Sequence, residues 1–314
     1  MDRRSLLKTA AAGALTLWAR PRLLTAQESA ARFRTLRGSV LAVVGVGGSN
    51  VVCLRTVPQG LVLVDSGAPK TSDQVIAAIT SFGGGGSKVQ TLFNTHYHTD
   101  QTGNNEVFAA AGAKIIAHEH TRQWMSTDYW IPEKDRWEKA RAKAAWPTET
   151  FRTTSSSSFL KLGGTTEEIE FGHLPLAHTD GDIYVFFKNS NVIAAGGVAS
   201  PILDPVLDWF TGAWIGGRVD AMDTILKLSN EQTMIVPASG PVMNRAEFKE
   251  ERDMMEEVRS RVWKRTLQGD SPQEMLDAGV LKGLPRTWKD PLKFLYDVAK
   301  GMFAHHNKLD PAVI

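Results

Sequence analysis

The chain has 314 residues, 42% of them hydrophobic and 22% charged, with a single cysteine and a formal charge of +2. Ordinary hydrophobicity with balanced charge excludes a globally disordered chain and provides for a full hydrophobic core. One cysteine excludes an internal disulfide framework and a thiolate zinc cluster, and Cys53, inside Val51-Val52-Cys53-Leu54, reads as a small buried strand residue.

Residues 1–26 carry a basic start, a short apolar centre and a second basic group at Arg20-Pro21-Arg22. That is the layout of a secretory signal, and Arg3-Arg4-Ser5-Leu6-Leu7-Lys8 resembles a twin-arginine signal. The apolar run Thr9 to Ala19 is too short to span a bilayer. The expectation is export in folded form by the twin-arginine machinery to the periplasm or beyond, with no stable membrane span. Without residues 1–26 the charge balance is −2, so no basic surface argues for nucleic acid.

Three short apolar runs follow, Val40 to Val46, Val51 to Thr56 and Leu61 to Val64. They are separated by Gly47-Gly48-Ser49-Asn50 and Pro58-Gln59-Gly60, which predicts an antiparallel meander. A helix is expected from Thr71 to Phe82, apolar at Val75, Ile76, Ile79 and Phe82, ending in a loop at Gly83 to Gly86. Strand and helix then alternate: strand Val89–Phe93, helix Asn104–Ala111, strand Lys114–Ala117, helix His118–Met125. Later strands are expected at Glu168–Leu176, Ile183–Phe187, Val192–Ala195 and Met234–Val236, with a helix near Val219–Leu228. From Arg245 the pattern is helical and polar through Arg265, and again from Lys289 to Ala304. Helices over strand-rich layers give an α/β sandwich. The segment from Trp124 to Phe151 holds four of the nine tryptophans, Trp124, Trp130, Trp137 and Trp146. These either line a pocket or pin a long excursion to the core, with packing the favoured reading.

The chemistry gathers in Thr95-His96-Tyr97-His98-Thr99-Asp100-Gln101-Thr102-Gly103-Asn104, directly after a strand. A spacing of two in extended chain places His96 and His98 on one face, where both imidazoles can meet one metal with Asp100 just beyond. A second histidine turn, His178-Thr179-Asp180-Gly181-Asp182, also follows an apolar run. His118 and His120, at the start of the following helix, read as capping and surface residues. His173, His305 and His306 carry no motif and read as structural or exposed.

Over residues 38–243 the chain resembles the metallo-β-lactamase superfamily. The resemblance rests on Leu63-Val64-Asp65-Ser66-Gly67, on the H-x-H-x-D loop from Asn94 to Asn105, and on Lys114 to Glu119. It continues in the turn His178 to Asp182 and in Ile235-Val236-Pro237-Ala238-Ser239-Gly240. It implies an αββα sandwich over 38–243, followed by a helical C-terminal extension over 244–314. It also implies a first metal site made by His96, His98 and His178. The family's second site is incomplete: Asp100 is present, but Gln101 and Ser239 stand where histidines are expected, and Gly196-Gly197 stands for Gly-Asp.

Amide and hydroxyl groups are poor zinc ligands beside imidazole. One zinc with three neutral imidazoles, a hydroxide and Asp100 sums to a charge of about zero. One Zn2+ per chain is therefore expected, and three histidines with an open position lower the pKa of bound water towards about 7. Asp100 would act as general base, Gln101 and Ser239 would orient a substrate or weakly assist a second metal, and Asp65 and Asp182 would orient the ligands from behind. The expected activity is hydrolysis of a small-molecule ester, lactone, thioester or amide, β-lactams included. The alternatives are a non-catalytic ligand-binding protein on a degenerate fold, and an iron-dependent redox or sulfur-handling member, against which the missing bridging carboxylate argues.

Overall fold

The computed structural model describes residues 32–37, 41–56, 60–83, 88–131, 135–152, 157–161 and 165–307. The signal at 1–26, Val40, the turn residues Pro58-Gln59 and the glycines 84–86 lie outside the described residues. The described residues fall in one compact unit.

The expected meander is present as β2 (Leu41–Val46), β3 (Ser49–Thr56) and β4 (Gly60–Val64), preceded by β1 (Arg32–Arg37), all antiparallel. After α1 (Ser72–Gly83), the strands β5 (Val89–Phe93), β6 (Lys114–His118) and β9 (Glu149–Phe151) add in parallel, giving a seven-stranded sheet. Between β5 and β6 lie α2 (Thr99–Thr102) and α3 (Asn105–Ala110), and α4 (Glu119–Ser126) follows β6. The second sheet has six strands in chain order: β10 (Ser158–Lys161), β11 (Glu168–His173), β12 (Ile183–Phe187), β13 (Val192–Gly196), β14 (Met234–Pro237) and β15 (Met243–Asn244). Only the β13–β14 pair is parallel, its crossover made by α5 (Ile215–Leu228).

Strand parity builds the layers, because alternate side chains leave opposite faces of a strand. Val62 and Val64 of β4 point between the sheets, where they join Phe93, Phe171, Val185, Phe187 and Val236. Their neighbours Leu61 and Leu63 point outward onto Val75, Ile79 and Phe82 of α1 and Phe108 of α3. Cys53 is buried in that outer layer, and burial pushes its thiol up to about 12. On the far side, Tyr184, Phe186, Ile193 and Ile235 of the second sheet are covered by α5 and the C-terminal helices. The order is helix, sheet, sheet, helix, as expected, and both faces of both sheets are covered, so the strands read as unbroken apolar runs.

The C-terminal part comprises α6 (Arg245–Thr266), α7 (Pro272–Asp277) and α8 (Pro291–Asn307). Capping boxes start two of them: Asn244 pairs with Glu247, and Ser271 with Glu274. Among the described residues no helix is long and apolar enough to cross a membrane.

Two boundaries differ from expectation for local reasons. The strand expected through Leu176 ends at His173, because Leu174 N–H turns to donate to Asp182 O at 2.8 Å. The helix expected from Val219 begins at Ile215, because Gly216-Gly217 is helical rather than punctuation. A Cβ on Gly216 would fall 2.1 Å from the Trp214 ring, so the indole packs where a side chain would stand.

Candidate metal centre

The site lies at the strand ends where the two sheets meet. Beyond β4, Asp65 takes a left-handed φ of 63° and turns its carboxylate onto the histidine loop. Its Oδ1 accepts the Thr95 N–H at 2.8 Å and its Oδ2 the Thr95 hydroxyl at 2.8 Å. That hydroxyl is also 3.0 Å from His96 Nδ1, so Asp65 reaches the ring through Thr95. Burial pushes Asp65 up to about 8, with the Thr95 bonds acting in the opposite direction. Ile183 N–H donates to Thr95 O at 2.9 Å and ties the loop to the second sheet.

The other histidine turn is built around Asp182, whose Oδ2 accepts the N–H groups of His178 (2.6 Å) and Thr179 (2.7 Å). Its Oδ1 accepts the Thr179 hydroxyl at 2.9 Å. Burial raises this carboxyl to about 7, against those donors. Asp65 and Asp182 therefore stand behind the imidazoles, each fixing a backbone turn.

His96, His98 and His178 each present one nitrogen to a common point, the three atoms lying within 4.8 Å of one another. His98 Nδ1 is 3.0 Å from His178 Nε2. Their outer nitrogens decide what that approach means. His178 Nδ1 lies 2.8 Å from the Val206 carbonyl, which can only accept, so Nδ1 carries the proton. His98 Nε2 lies 3.0 Å from Asp208 Oδ2 and donates to it. Burial alone would raise the Asp208 carboxyl, but the hydrogen bonds from His98 and Tyr97 and the nearby imidazoles hold it below the ordinary value, so it is an acceptor at neutral pH. With the rings neutral, both inner nitrogens turn their lone pairs to the same point, as the ligands of one cation do.

Burial favours the neutral form of His96 and His178. Burial, followed by the other two histidines and Arg141, holds His96 well below its ordinary value. Burial, then His98, takes His178 down to about 3. Neutral, converging imidazoles with their far nitrogens tied to acceptors are the donor set of a metal site. The residues fit a metal ion.

The remnants of a second site are arranged differently. Among the described residues, the three histidines are the one group of His, Cys, Asp or Glu side chains that converges as metal ligands, and Asp100 is not part of it. Asp100 is exposed, and its Oδ2 accepts from Gln101 Nε2 at 3.2 Å. Gln101 is fully buried; Nε2 also donates to Ala238 O at 3.1 Å, while Oε1 has no partner. Ser239 follows β14 and is half-buried. Gly197 lies under the His178 ring: a Cβ there would fall 2.1 Å from Cδ2. The ring occupies the space that the family's carboxylate side chain would need.

Asp208 escapes sequence reasoning. Its segment, Val206-Leu207-Asp208-Trp209-Phe210, carries no motif, although a lone carboxylate among apolar residues was the available signal. A cavity of about 360 Å³ opens beside it, lined among others by Tyr97, His98, Tyr129, Arg141 and Phe210.

The four tryptophans divide in two. Trp124 stacks on Tyr97 and donates to Asp180 Oδ1 at 2.8 Å, and Trp146 donates to Arg141 O at 2.9 Å. Trp130 and Trp137 are exposed on a hairpin formed by β7 (Tyr129–Ile131) and β8 (Arg136–Glu138).

His118 caps α4 as expected, accepting from His120 N–H, but it is buried rather than a surface residue. Its ring stacks on His173 with centroids 3.7 Å apart.

Comparison with known proteins fits this geometry. No curated protein matches the chain. Among solved structures, a metallo-beta-lactamase from Pontibacter korlensis aligns at TM-score 0.53 and 17% identity, over 72% of this chain and 93% of that one. One from Hirschia baltica aligns at 0.55 and 15%, over 72% and 98%. The stereoselective inverting sec-alkylsulfatase Pisa1 from Pseudomonas sp. aligns at 0.63 and 15%, over 88% of this chain; the chain spans 50% of that enzyme. At such identities the likeness establishes the fold. Residues 44–233 match the family model for the metallo-beta-lactamase superfamily, whose membership points to a metal-dependent hydrolase. On that match the chain belongs to the metallo-beta-lactamase superfamily.

Proposed function

We propose that the chain is a periplasmic hydrolase that uses one zinc ion, held by His96, His98 and His178, to cleave an ester, lactone, thioester or amide of a small molecule. The observation that carries this reading is the convergence of one nitrogen from each of His96, His98 and His178, with Asp208 and Val206 O against the outer nitrogens of His98 and His178. A three-imidazole zinc supplies a Lewis acid and brings the pKa of water towards about 7.

The chain's own groups do the remaining work. Asp100, exposed at the site's edge and held by Gln101 Nε2, takes a proton from the attacking water. Asp208 keeps the His98 ring oriented and its outer nitrogen protonated. Tyr129 and Phe210 exclude water from one wall of the cavity. The missing carboxylate at Gly197 and the replacements Gln101 and Ser239 support a single ion. The Arg3-Arg4 signal supports export, which a lysine pair at these positions should block.

The test combines elemental mass spectrometry of protein purified without chelator with a screen of ester, lactone, thioester and amide substrates. About one zinc per chain, lost in His178→Ala, together with turnover lost in His96→Ala and strongly reduced in Asp100→Asn, is the expected result. Two metals per chain would sink the single-ion reading. Metal without turnover across the screen would favour a ligand-binding protein.

A further inference from the structure

The cavity beside the histidines holds one cation that makes no ion pair among the described residues. Three positive side chains line it, and two have acids: Arg136 pairs with Glu138 at 2.9 Å, and Lys293 with Asp297 at 2.8 Å. No carboxylate among the described residues lies within ion-pair distance of Arg141; Glu138 and Asp100 act on its charge only from farther away. Its guanidinium donates instead to two neutral oxygens, Tyr97 O at 2.5 Å and Thr102 Oγ1.

The backbone of Arg141 is fixed as well: its N–H donates to Met125 O at 2.9 Å and its carbonyl accepts the Trp146 indole. The side chain is half-buried, and burial works against its charge, which a guanidinium nevertheless keeps. A partly desolvated cation without an acid is costly unless another group completes it. Asp208, which also lines the cavity, is already engaged by His98 and Tyr97. Two of the five guanidinium N–H groups, one on each terminal nitrogen, are spent on the protein. Three remain, and the side edge made by Nε and one terminal nitrogen has the two-donor spacing that suits a carboxylate. Tyr129 and Phe210, stacked at 6.0 Å, form an aromatic wall in the same cavity.

We propose that Arg141 determines specificity by holding a carboxylate on the substrate, with an apolar portion of the same molecule against Tyr129 and Phe210. This rests on taking the cavity as the substrate site of the hydrolase, and it names the substrate class: a carboxylated small molecule with an apolar body.

The test needs no turnover. Full-length, zinc-loaded protein is titrated with 4-phenylbutyrate and with its neutral counterpart 4-phenylbutanol, following intrinsic tryptophan fluorescence and calorimetry. The acid should bind about tenfold or more tightly than the alcohol. Arg141→Met should erase the difference, and Arg141→Lys, which keeps charge but loses the fork, should retain part of it.

Because Arg141 also holds Tyr97 O, each variant is checked for zinc content. If the Met variant loses zinc, the Lys variant decides, with weakened acid binding and unchanged alcohol binding expected. Equal affinities in the wild type, no binding of either compound, or a preference that survives Arg141→Met would overturn the proposal. A preference abolished by chelator alone would assign the carboxylate to the metal and overturn it too. Acid-selective binding through Arg141 without turnover of any substrate would leave the proposal standing and remove the hydrolase reading.

Discussion

The backbone of Gly197 passes so close beneath His178 that a Cβ on it would lie 2.1 Å from the ring's Cδ2. In a chain that lacks the family's carboxylate at this position, the imidazole has taken the space. We predict that Gly197→Asp does not create a second metal site. It should destabilise the fold by about 1–3 kcal/mol, the usual range for overpacking, and leave metal content at or below the wild-type value. Urea unfolding and elemental analysis check both, and a second equivalent of zinc in the variant would refute the idea.

Asp208 holds the His98 ring from the side away from the other histidines. Replacing it by Asn keeps the volume but lets an amide N–H face the imidazole, so His98 loses its fixed tautomer. Metal affinity should fall roughly 10–100-fold, as for other outer partners of ligating histidines. Competition with a chromophoric chelator measures this directly. An unchanged affinity in Asp208→Asn would show that Val206 O and Thr95 suffice to order the site.

The layers of the fold were legible because alternate strand residues face opposite layers. The histidines were legible as a motif, since His96 and His98 lie in the bend between β5 and α2 and not in the extended chain that their spacing of two suggests. The turn at His178 was readable from Asp182, four residues on. What stayed hidden depends on contacts distant in sequence. Asp208 acquires meaning only when its loop reaches His98, 110 residues earlier. The helix start at Ile215, ahead of the expected Val219, depends on the Trp214 ring packed on Gly216, a contact that cannot be seen in the sequence. His118 was placed at a helix start, but its burial comes from the His173 ring on another sheet.

That imidazole stack gives a pH dependence. Burial, then His173 and His120, lowers His118 to about 3, and His173 is lowered as well, mainly by burial. In the unfolded chain both titrate near 6.5. Protons therefore bind the unfolded state first, and the stability these rings contribute is present above about 6.5 and is lost as pH falls from there towards 3. His120, Glu119 and Asp180 border the cluster, with His120 Nδ1 3.2 Å from Asp180 Oδ2. We predict that the melting temperature falls between pH 7 and pH 5, and that His118→Asn, which can still cap α4, removes a part worth roughly 2–4 °C. Parallel pH–melting curves for wild type and variant would refute this assignment.

The C-terminal helices reach the metal site through buried charge. Glu251 on α6 lies 3.5 Å from Arg218 on α5, and Arg218 donates to the Gly197 carbonyl at 3.0 Å, directly beneath His178. Arg218 is fully buried, and Glu251 also accepts the Ser200 N–H at 2.9 Å. Removing the acid strands an enclosed guanidinium, a change that typically costs about 3–5 kcal/mol. Glu251→Ala should show that loss in urea unfolding and should also loosen zinc, because the carbonyl under the ligand loses its fixed donor. Glu251→Gln, which can still accept from Ser200, should recover part of the stability. A chain ending at residue 243 removes Phe248, Met255, Phe294 and Leu295 from the core over the second sheet, and we predict that it does not fold to a metal-binding protein. If that fragment binds zinc with wild-type affinity, the helices are an appendage and the Glu251–Arg218–Gly197 connection has no part in holding His178.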